Sequence, residues 1–306
     1  MSEVQSFIGL DVGGTKLKAC AFSPAGELLA ETSQPTADDG TPAWRDQART
    51  LVRGVRARCP PPARIGVAAP GLPSRDGRFI AHMPDRLAGL EGLVWQEWLE
   101  TTAPVPVLND AQAALLAEVW LGAARGVHNV VLLTLGTGVG GAAMVDGRIL
   151  RGRLGRAGHL GHVSLNPDGP RDIVNTPGSL EDAVGECSLA TRSQGKFTTT
   201  LELVAAYRAG SSEAEMVWLR SVRALAAGIA GFINVLDPEA VVIGGGMAEA
   251  GAALFEPLSA ALDQFEWRPG GARVRIVKAA LGSQAGAAGA AYAAKLAATE
   301  NHLNSR

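Results

Sequence analysis

Several features that would assign a sequence to a common protein class are missing from this one. Neither sign of charge dominates, because 28 Lys and Arg residues stand against 30 Asp and Glu, a net charge of -2. A basic surface for nucleic acid or anionic membranes is therefore not expected. The three cysteines, Cys20, Cys59 and Cys187, are widely spaced and form no disulfide framework, which favours a reducing compartment.

Long apolar runs and targeting signals are also lacking. No stretch reaches the roughly 18 consecutive apolar residues of a membrane span, and residues 1–6 carry no basic segment of a signal peptide. These absences predict a cytoplasmic protein that binds neither membrane nor nucleic acid. Apolar residues are plentiful, however: they make up 47% of the 306 residues, enough for a large core and two domains.

The pair Asn109-Asp110 lies where a short apolar segment, Val105 to Leu108, gives way to a helical pattern. The pair therefore falls at the carboxyl end of a predicted strand and the N-terminus of a predicted helix. Open α/β sheets place their ligands at such junctions. A plain helix cap at Asp110 explains the same residues, and this stretch alone favours the cap.

A glycine turn follows the first predicted strand. Residues 7–31 read as strand, turn, strand, turn, strand, a β-meander whose first turn is Gly13-Gly14-Thr15. Its N–H groups and hydroxyl are suited to holding a phosphate, with Asp11 beside them. An ordinary hairpin turn would explain the glycines but not an Asp at the end of an apolar strand.

The second half of the chain repeats this plan. Residues 129–150 again read as a meander, with Gly136-Thr137-Gly138 in its first turn, and we expect the two turns to clamp a polyphosphate together. Later, the apolar strand that begins at Ala240 ends in Gly244-Gly245-Gly246. That close-approach site suits the adenosine or phosphate end of a nucleotide.

The remaining periodicity predicts a mixed sheet with helices packed on it. Helices are predicted over 43–58, 94–101, 216–236 and 285–299, strands over 64–69 and 273–281, and loops over 72–90 and 151–195.

Five motifs, in their order and spacing along the chain, resemble those of a known family. Asp11 to Thr15, Leu135 to Gly141 and Val242 to Gly246 resemble the phosphate and adenosine motifs of actin-like ATPases. Within that superfamily, Asn109 to Ala111 and Gly155 to His162 resemble the ROK family of repressors and sugar kinases. The resemblance implies an α/β fold of two ribonuclease-H-like domains with mixed sheets, flanking helices and an interdomain cleft.

The implied domains are 1–110 and 111–284, with a sugar-binding loop insertion at 151–195 and the C-terminal helix, about 285–306, packing back on the first domain. The family also implies a homodimer.

The function implied by the resemblance is ATP-dependent phosphorylation of a hexose or hexose-like sugar, usually at O6, with glucokinase as the default. Asp110 matches the general base, Asn109 a sugar-hydroxyl ligand, and Asp11 the carboxylate near the Mg²⁺ bound with ATP. Phosphoryl transfer needs such a positioned carboxylate. Expected contacts to ATP and its phosphates come from Gly13, Gly14, Thr15, Lys16, Gly136, Thr137, Gly138, Gly244, Gly245 and Gly246.

The chain departs from the family where ROK kinases carry Cys-x-Cys-Gly-x-x-Gly-Cys-x-Glu after the Gly-His. Residues 168–181 contain no cysteine, so a Cys₃His zinc site cannot be built and we expect no structural zinc. Stoichiometric zinc in the purified protein would contradict this. His162 keeps the position of the family's His, as a sugar-facing residue or as a residue that packs the loop. Glu181 matches the Glu that ends the motif and receives sugar hydroxyls.

Two further departures affect sugar recognition. His159 replaces a family Glu that accepts sugar hydroxyls, and imidazole accepts only one hydrogen bond without a fixed charge. His82 stands where many members have a sugar-contacting Asn. Gly71, in the turn after an apolar strand, completes the expected sugar site. The changes leave a hexose, an amino sugar or a cyclitol open as the acceptor.

Other function classes fit less well. A ROK repressor would carry a winged-helix domain before the first phosphate motif, whereas ten residues precede Asp11 here. A non-catalytic sugar- or nucleotide-binding protein would be expected to lose the base or the phosphate turns. An actin-like chaperone or filament protein would not explain Asn109-Asp110 or the Gly-His segment.

Overall fold

The computed structural model describes residues 4–84 and 86–304, with side chains up to residue 299. The chain divides into two compact units. Unit 1 is formed by Met1–Gly126, Arg151–Ala157 and Ala280–Arg306, and unit 2 by Val127–Leu150 and Gly158–Ala279. Each unit has its own five-stranded sheet.

The sheet of unit 1 joins an antiparallel meander to two parallel strands. Its strands are β1 (Ser6–Val12), β2 (Lys16–Phe22), β3 (Leu28–Pro35), β4 (Ala63–Ala68) and β7 (Val107–Leu108), in the order β3-β2-β1-β4-β7. The remaining strands of this unit, β5 (Leu72–Pro73) and β6 (Ile80–His82), form a separate two-stranded antiparallel sheet. The predicted loop 72–90 therefore contains a short hairpin.

The helices of unit 1 cover both faces of this sheet. They are α1 (Ala43–Arg56), α2 (Trp95–Trp98), α3 (Asp110–Trp120) and α9 (Ala285–Asn304). Alternate residues of β1 point to opposite faces. Ile8 and Leu10 pack in a core cluster with Trp44 of α1, whereas Phe7 packs with Trp120 of α3 and the alanines of α9.

Helix α9 lies unusually close to the sheet because small residues meet at the contact. A methyl group added at Gly9 of β1 would overlap the backbone carbonyl of Ala287. One added at Gly66 of β4 would overlap that of Ala290. The glycines are thus required by the close approach of the α9 backbone.

Unit 2 repeats the topology of unit 1. Its strands are β8 (Val130–Leu135), β9 (Val139–Val145), β10 (Arg148–Ile149), β11 (Ala240–Gly244) and β12 (Arg275–Lys278), in the order β10-β9-β8-β11-β12. The first three strands are antiparallel, and β8, β11 and β12 are parallel. The repetition predicted from the two glycine turns is therefore confirmed, as is the mixed α/β fold class.

The helices of unit 2 are α4 (Leu180–Val184), α5 (Leu189–Arg192), α6 (Thr200–Arg208), α7 (Ser212–Leu236) and α8 (Ala252–Phe265). By length and composition α7 could cross a membrane, but 56% of its most apolar window is buried. Trp218, Leu225 and Ile229 on α7 have no exposed surface and belong to the core cluster of the unit. An apolar helix whose side chains are buried in this way is typical of the core of a globular unit.

The structure differs from several predicted bounds. The first helix ends at Arg56 rather than residue 58, the last strand covers only Arg275–Lys278, and the predicted loop 151–195 includes α4 and α5. The expected boundary at residue 110 falls inside unit 1, because α3 packs on α9 and β7 pairs with β4. Residues 151–157, expected in the second domain, also belong to unit 1.

Candidate active site

Asn109, and not Asp110, caps helix α3. The Asn109 Oδ1 accepts the Gln112 N–H at 2.7 Å, and the Gln112 side chain accepts the Asn109 N–H at 3.3 Å. This capping box satisfies two backbone donors at the helix start. Asp110 is the first helical residue and is exposed. The simpler interpretation of Asp110 as the cap is therefore wrong, because its neighbour performs that role.

The capping box also limits what Asn109 can do for a ligand. Asn109 is buried, and its amide oxygen already accepts a hydrogen bond from the Gln112 N–H. The side-chain NH₂ group is therefore what Asn109 has left to offer a sugar hydroxyl, as a donor.

Asp11 lies near the end of β1, on the same face as Gly9 and next to Lys18 in the β1–β2 register. Its carboxylate packs against Gly286, in the first turn of α9, where a methyl group would overlap it. Burial, and to a smaller extent the charge of Asp110, raise the pKa of Asp11 to about 6, while Lys18 opposes the rise. The two carboxylates are thus electrostatically coupled, which is typical of functional sites.

Lys18 is a buried cation that lies outside the motifs of the sequence. Its Nζ donates to the backbone carbonyl of Ser283 at 2.8 Å and lies 3.6 Å from the Glu31 carboxylate. A charged residue within the otherwise apolar run 17–22 was the available signal. Lys16, a predicted phosphate ligand, is exposed at the start of β2.

The turn after β1 is held by backbone bonds and leaves its polar groups accessible. The Gly13 N–H donates to the Lys16 carbonyl at 3.1 Å, and Thr15 is exposed. The guanidinium of Arg86 lies against Gly14, where a methyl group would overlap it. The structure thus brings a second cation to this turn, and no pattern in the sequence indicates the contact.

The corresponding turn of unit 2 is built around Glu181. The Gly136 N–H donates to the Gly138 carbonyl at 3.0 Å, while Thr137 is exposed. Glu181 Oε2 accepts the Val139 N–H at 2.9 Å, and its carboxylate lies against Gly138. The structure therefore joins the predicted sugar ligand Glu181 to the predicted phosphate turn.

The third glycine motif packs on the same strand. Gly245 has a φ of 85°, and a methyl group there would overlap the backbone of Leu135 at the end of β8. Only glycine combines this conformation with this approach. Gly244 ends β11, and Gly246 begins a short 3₁₀ turn.

The predicted sugar residues lie in separate parts of the chain. In unit 1, His82 ends β6, is exposed, and has its Nδ1 3.4 Å from the Glu91 carboxylate. Gly71 has a φ of 101° and abuts the His82 carbonyl. In unit 2, His159 is partly buried, and His162 Nδ1 lies 2.8 Å from the Asp172 carboxylate.

Among the described residues, no group of three or more His, Cys, Asp or Glu side chains could hold a metal ion. Mg²⁺ needs less from the protein, because it keeps several waters and takes one or two carboxylates together with substrate phosphates. Asp11, with its raised pKa and with Asp110 close enough to influence it, fits that kind of donor set.

Comparisons with known proteins identify the family to which the chain belongs. The sequence model of the ROK family matches residues 7–297. A glucokinase of Halalkalibacterium halodurans is 32% identical over 94% of this chain and 94% of its own length. An N-acetylmannosamine kinase of Escherichia coli (strain SE11) is 35% identical over 81% of this chain and 86% of its own.

Among solved structures, a ROK hexokinase from Thermus thermophilus is 31% identical and has a TM-score of 0.84, over 97% of this chain and 100% of that one. Sequence, fold and motif order lead to one conclusion: the chain belongs to the ROK family and is a sugar kinase that acts on a sugar hydroxyl.

Proposed function

We propose that the chain transfers the γ-phosphate of ATP to O6 of a hexose or hexose-like sugar, with Asp110 as the general base. The position of Asp110 carries this proposal. Its carboxylate is exposed at the start of α3, while Asn109 caps the helix. Asp110 is therefore available to take the proton of an attacking hydroxyl, as phosphoryl transfer to an alcohol requires.

Asp11 is the proposed carboxylate for the Mg²⁺ that accompanies ATP. When bound, the ion would neutralise charge on the phosphates. Burial raises the pKa of Asp11 to about 6, so the carboxylate gains from a nearby cation. Lys18, buried beside Asp11, supplies part of that compensation within the protein.

The nucleotide is assigned to the glycine turns. In unit 1, the phosphate ligands are Gly13, Gly14 and Thr15 with Lys16, joined by Arg86 because its guanidinium lies against Gly14. In unit 2, they are Gly136, Thr137 and Gly138, and the turn Gly244 to Gly246 takes the adenosine end. Backbone N–H groups of such turns bind phosphate oxygens without a large side chain in the way.

The sugar is assigned to Asn109, His82 and Gly71 in unit 1, and to His159, His162 and Glu181 in unit 2. Glucose is the default acceptor, since a glucokinase is among the similar proteins. An amino sugar is the second candidate, because an N-acetylmannosamine kinase is also among the similar proteins. His159 stands where the family has Glu, which favours an acceptor other than the usual hexose. Cyclitols are therefore included among the acceptors to be assayed.

A coupled ADP-release assay across hexoses, amino sugars and cyclitols tests the proposal. We expect turnover with one class of acceptor, and none with its 6-deoxy analogue, which lacks the attacking hydroxyl. Phosphorus NMR of the product would locate the new ester. Equal turnover of the 6-deoxy sugar would contradict O6 transfer. No turnover across the panel, with ATP still bound, would favour a non-catalytic binding protein.

The oligomeric state is a separate proposal. The family resemblance supports a homodimer, which light scattering of the purified protein would detect as twice the 31.6 kDa of the chain.

A further inference from the structure

The segment between His162 and α4 is folded around one buried carboxylate, that of Asp172. The Asp172 side chain has no exposed surface. Its Oδ1 accepts the N–H groups of Val174 at 3.0 Å and Thr176 at 2.8 Å, and its Oδ2 lies 2.8 Å from His162 Nδ1. Four contacts, with the Ser179 hydroxyl as the last, thus converge on one side chain.

Asp172 remains ionised in this environment. Burial alone would raise the pKa of Asp172, but the hydrogen bonds from Thr176, His162, Ser179 and Val174 outweigh it and hold the pKa below its usual value. A carboxylate that is ionised can only accept hydrogen bonds. Its neighbour His162 must therefore present Nδ1 as an N–H donor.

We propose that Asp172 is a positioning residue that fixes His162 with Nδ1–H toward the carboxylate and Nε2 free to accept a hydrogen bond from the sugar acceptor. In a neutral imidazole with Nδ1 protonated, Nε2 is an acceptor. A sugar hydroxyl is a matching donor. The inference rests on the proposed function, in which His162 contacts the sugar, and it adds the residue that orients His162.

Asp172 occupies the sequence position of a zinc ligand in the family motif. Counted back from Glu181, the family's three cysteines fall on Asp172, Val174 and Ser179, and only His162 of the four zinc ligands remains. The residues present therefore do not fit a structural zinc. Hydrogen bonds to Asp172 take over the cross-linking of this loop.

The backbone of the loop supports this reading. The two family glycines fall on Asn175 and Gly178, and both residues have positive φ, 69° and 51°. Asn adopts this conformation more readily than other residues with a side chain. The Asn175 N–H donates to the Asp172 carbonyl at 2.9 Å, so the turn also closes on the Asp172 backbone.

Steady-state kinetics of Asp172→Asn tests the role of Asp172. Asn retains the volume but can donate to Nδ1 and so permit the other tautomer. We expect KM for the sugar to rise roughly tenfold, the size of one lost or misdirected hydrogen bond, with kcat and KM for ATP changed much less. Asp168→Asn is the matched control, because Asp168 is exposed in the same loop. Equal effects of the two substitutions would overturn the proposal.

A double-mutant cycle separates positioning from simple loop stability. If Asp172 acts through His162, then Asp172→Asn should change the sugar KM little in a His162→Gln background. A merely structural Asp172 would show the full effect in both backgrounds. Additive effects would therefore contradict the proposal.

Nitrogen NMR of the wild-type protein reads the tautomer without any assay of activity. The chain has five histidines, so the His162 signals can be assigned with the His162→Gln variant. We expect a protonated Nδ1 and an unprotonated Nε2. A protonated Nε2 with an unprotonated Nδ1 overturns the inference even if the protein is a sugar kinase. The expected tautomer without turnover would instead count against the proposed function alone.

Discussion

The two sheets of this protein share one topology but are built differently at equivalent positions. Four residues before the first glycine of the turn, β1 has Gly9 and β8 has Leu132. Their partners on the adjacent parallel strands are Gly66 and Val242. All four lie in the interior, and the two glycines are pressed against the backbone of helix α9.

This difference bears on the carboxylate near the end of β1, which has no counterpart at the equivalent position of β8. Because Gly9 and Gly66 let α9 approach, the first turn of that helix reaches Asp11. The equivalent residue of β8 is Thr134, a neutral side chain that lies against Gly140. A shared topology thus places turns in the same positions, whereas the size of the residues before each turn decides what chemistry the turn can support.

The largest expected effect tests whether the chemistry depends on the carboxylates of unit 1. Asp110→Asn should lower kcat by about 10²–10⁴-fold, the usual contribution of a general base. The fold should be unchanged because Asn109 keeps the cap. Sugar and ATP affinity, measured by calorimetry, should stay near wild type. Near-normal turnover of this variant would remove Asp110 from the mechanism.

The next prediction concerns a substitution that gives the sheet of unit 1 a residue of the unit 2 sheet. Val242 of β11 occupies the position equivalent to Gly66 of β4. The substitution Gly66→Val therefore gives β4 the same side chain, which would overlap the Ala290 carbonyl of α9. We expect a loss of roughly 1–3 kcal/mol in the free energy of unfolding, or more, because overpacked cores cannot easily relax. Urea denaturation measures it. An unchanged midpoint would show that α9 is not held against the sheet.

An effect of similar size concerns the dependence of stability on pH. The pKa of Asp11 is raised from 3.8 to about 6 in the folded chain, so between these values the folded state binds more protons than the unfolded state. Stability from this group is complete below the lower value and is lost as pH rises through about 6. At pH 8 the ionised Asp11 then costs about 3 kcal/mol relative to its protonated form at low pH.

Asp11→Asn should therefore raise the melting temperature at pH 8, with the gain disappearing toward pH 4, while turnover is lost. Thr134→Ser, at the equivalent position of β8, is the control and should show no pH-dependent gain. A wild-type acid limb of kcat/KM near pH 6 would independently report the ionisation of Asp11. If Asp11→Asn were destabilising at both pH values, burial would not be the source of the raised pKa.

The smallest expected effect is a gain in stability when a glycine that no helix backbone approaches is replaced by alanine. Gly54 lies on the exposed side of α1, and an added methyl group would meet nothing within 4 Å. Gly54→Ala should stabilise the fold by about 0.5–1 kcal/mol, because alanine loses less backbone entropy in a helix. The opposite signs of Gly54→Ala and Gly66→Val would separate helix propensity from close packing.

Sequence patterns were sufficient where a signal is local. Both meanders, the glycine turns and the junction at Asn109-Asp110 follow from contiguous residues. Patterns could not show which of the two junction residues caps the helix, since both are good caps. They also could not place Lys18 beside Ser283, 265 residues away, or Arg86 against Gly14. Such contacts depend on tertiary packing rather than on spacing along the chain.

The place of α9 in the chain has a consequence for biosynthesis. Unit 1 begins the sequence, yet α9 covers β1 and β4 only after residues 127–279 have been made. At about 5–20 residues per second, that interval lasts roughly 8 to 30 seconds. All of unit 2 is synthesised before α9, because its last strand, β12, precedes that helix. We therefore expect the second unit to fold first on the ribosome, while the apolar face of β1 awaits its helix and offers a binding surface to chaperones.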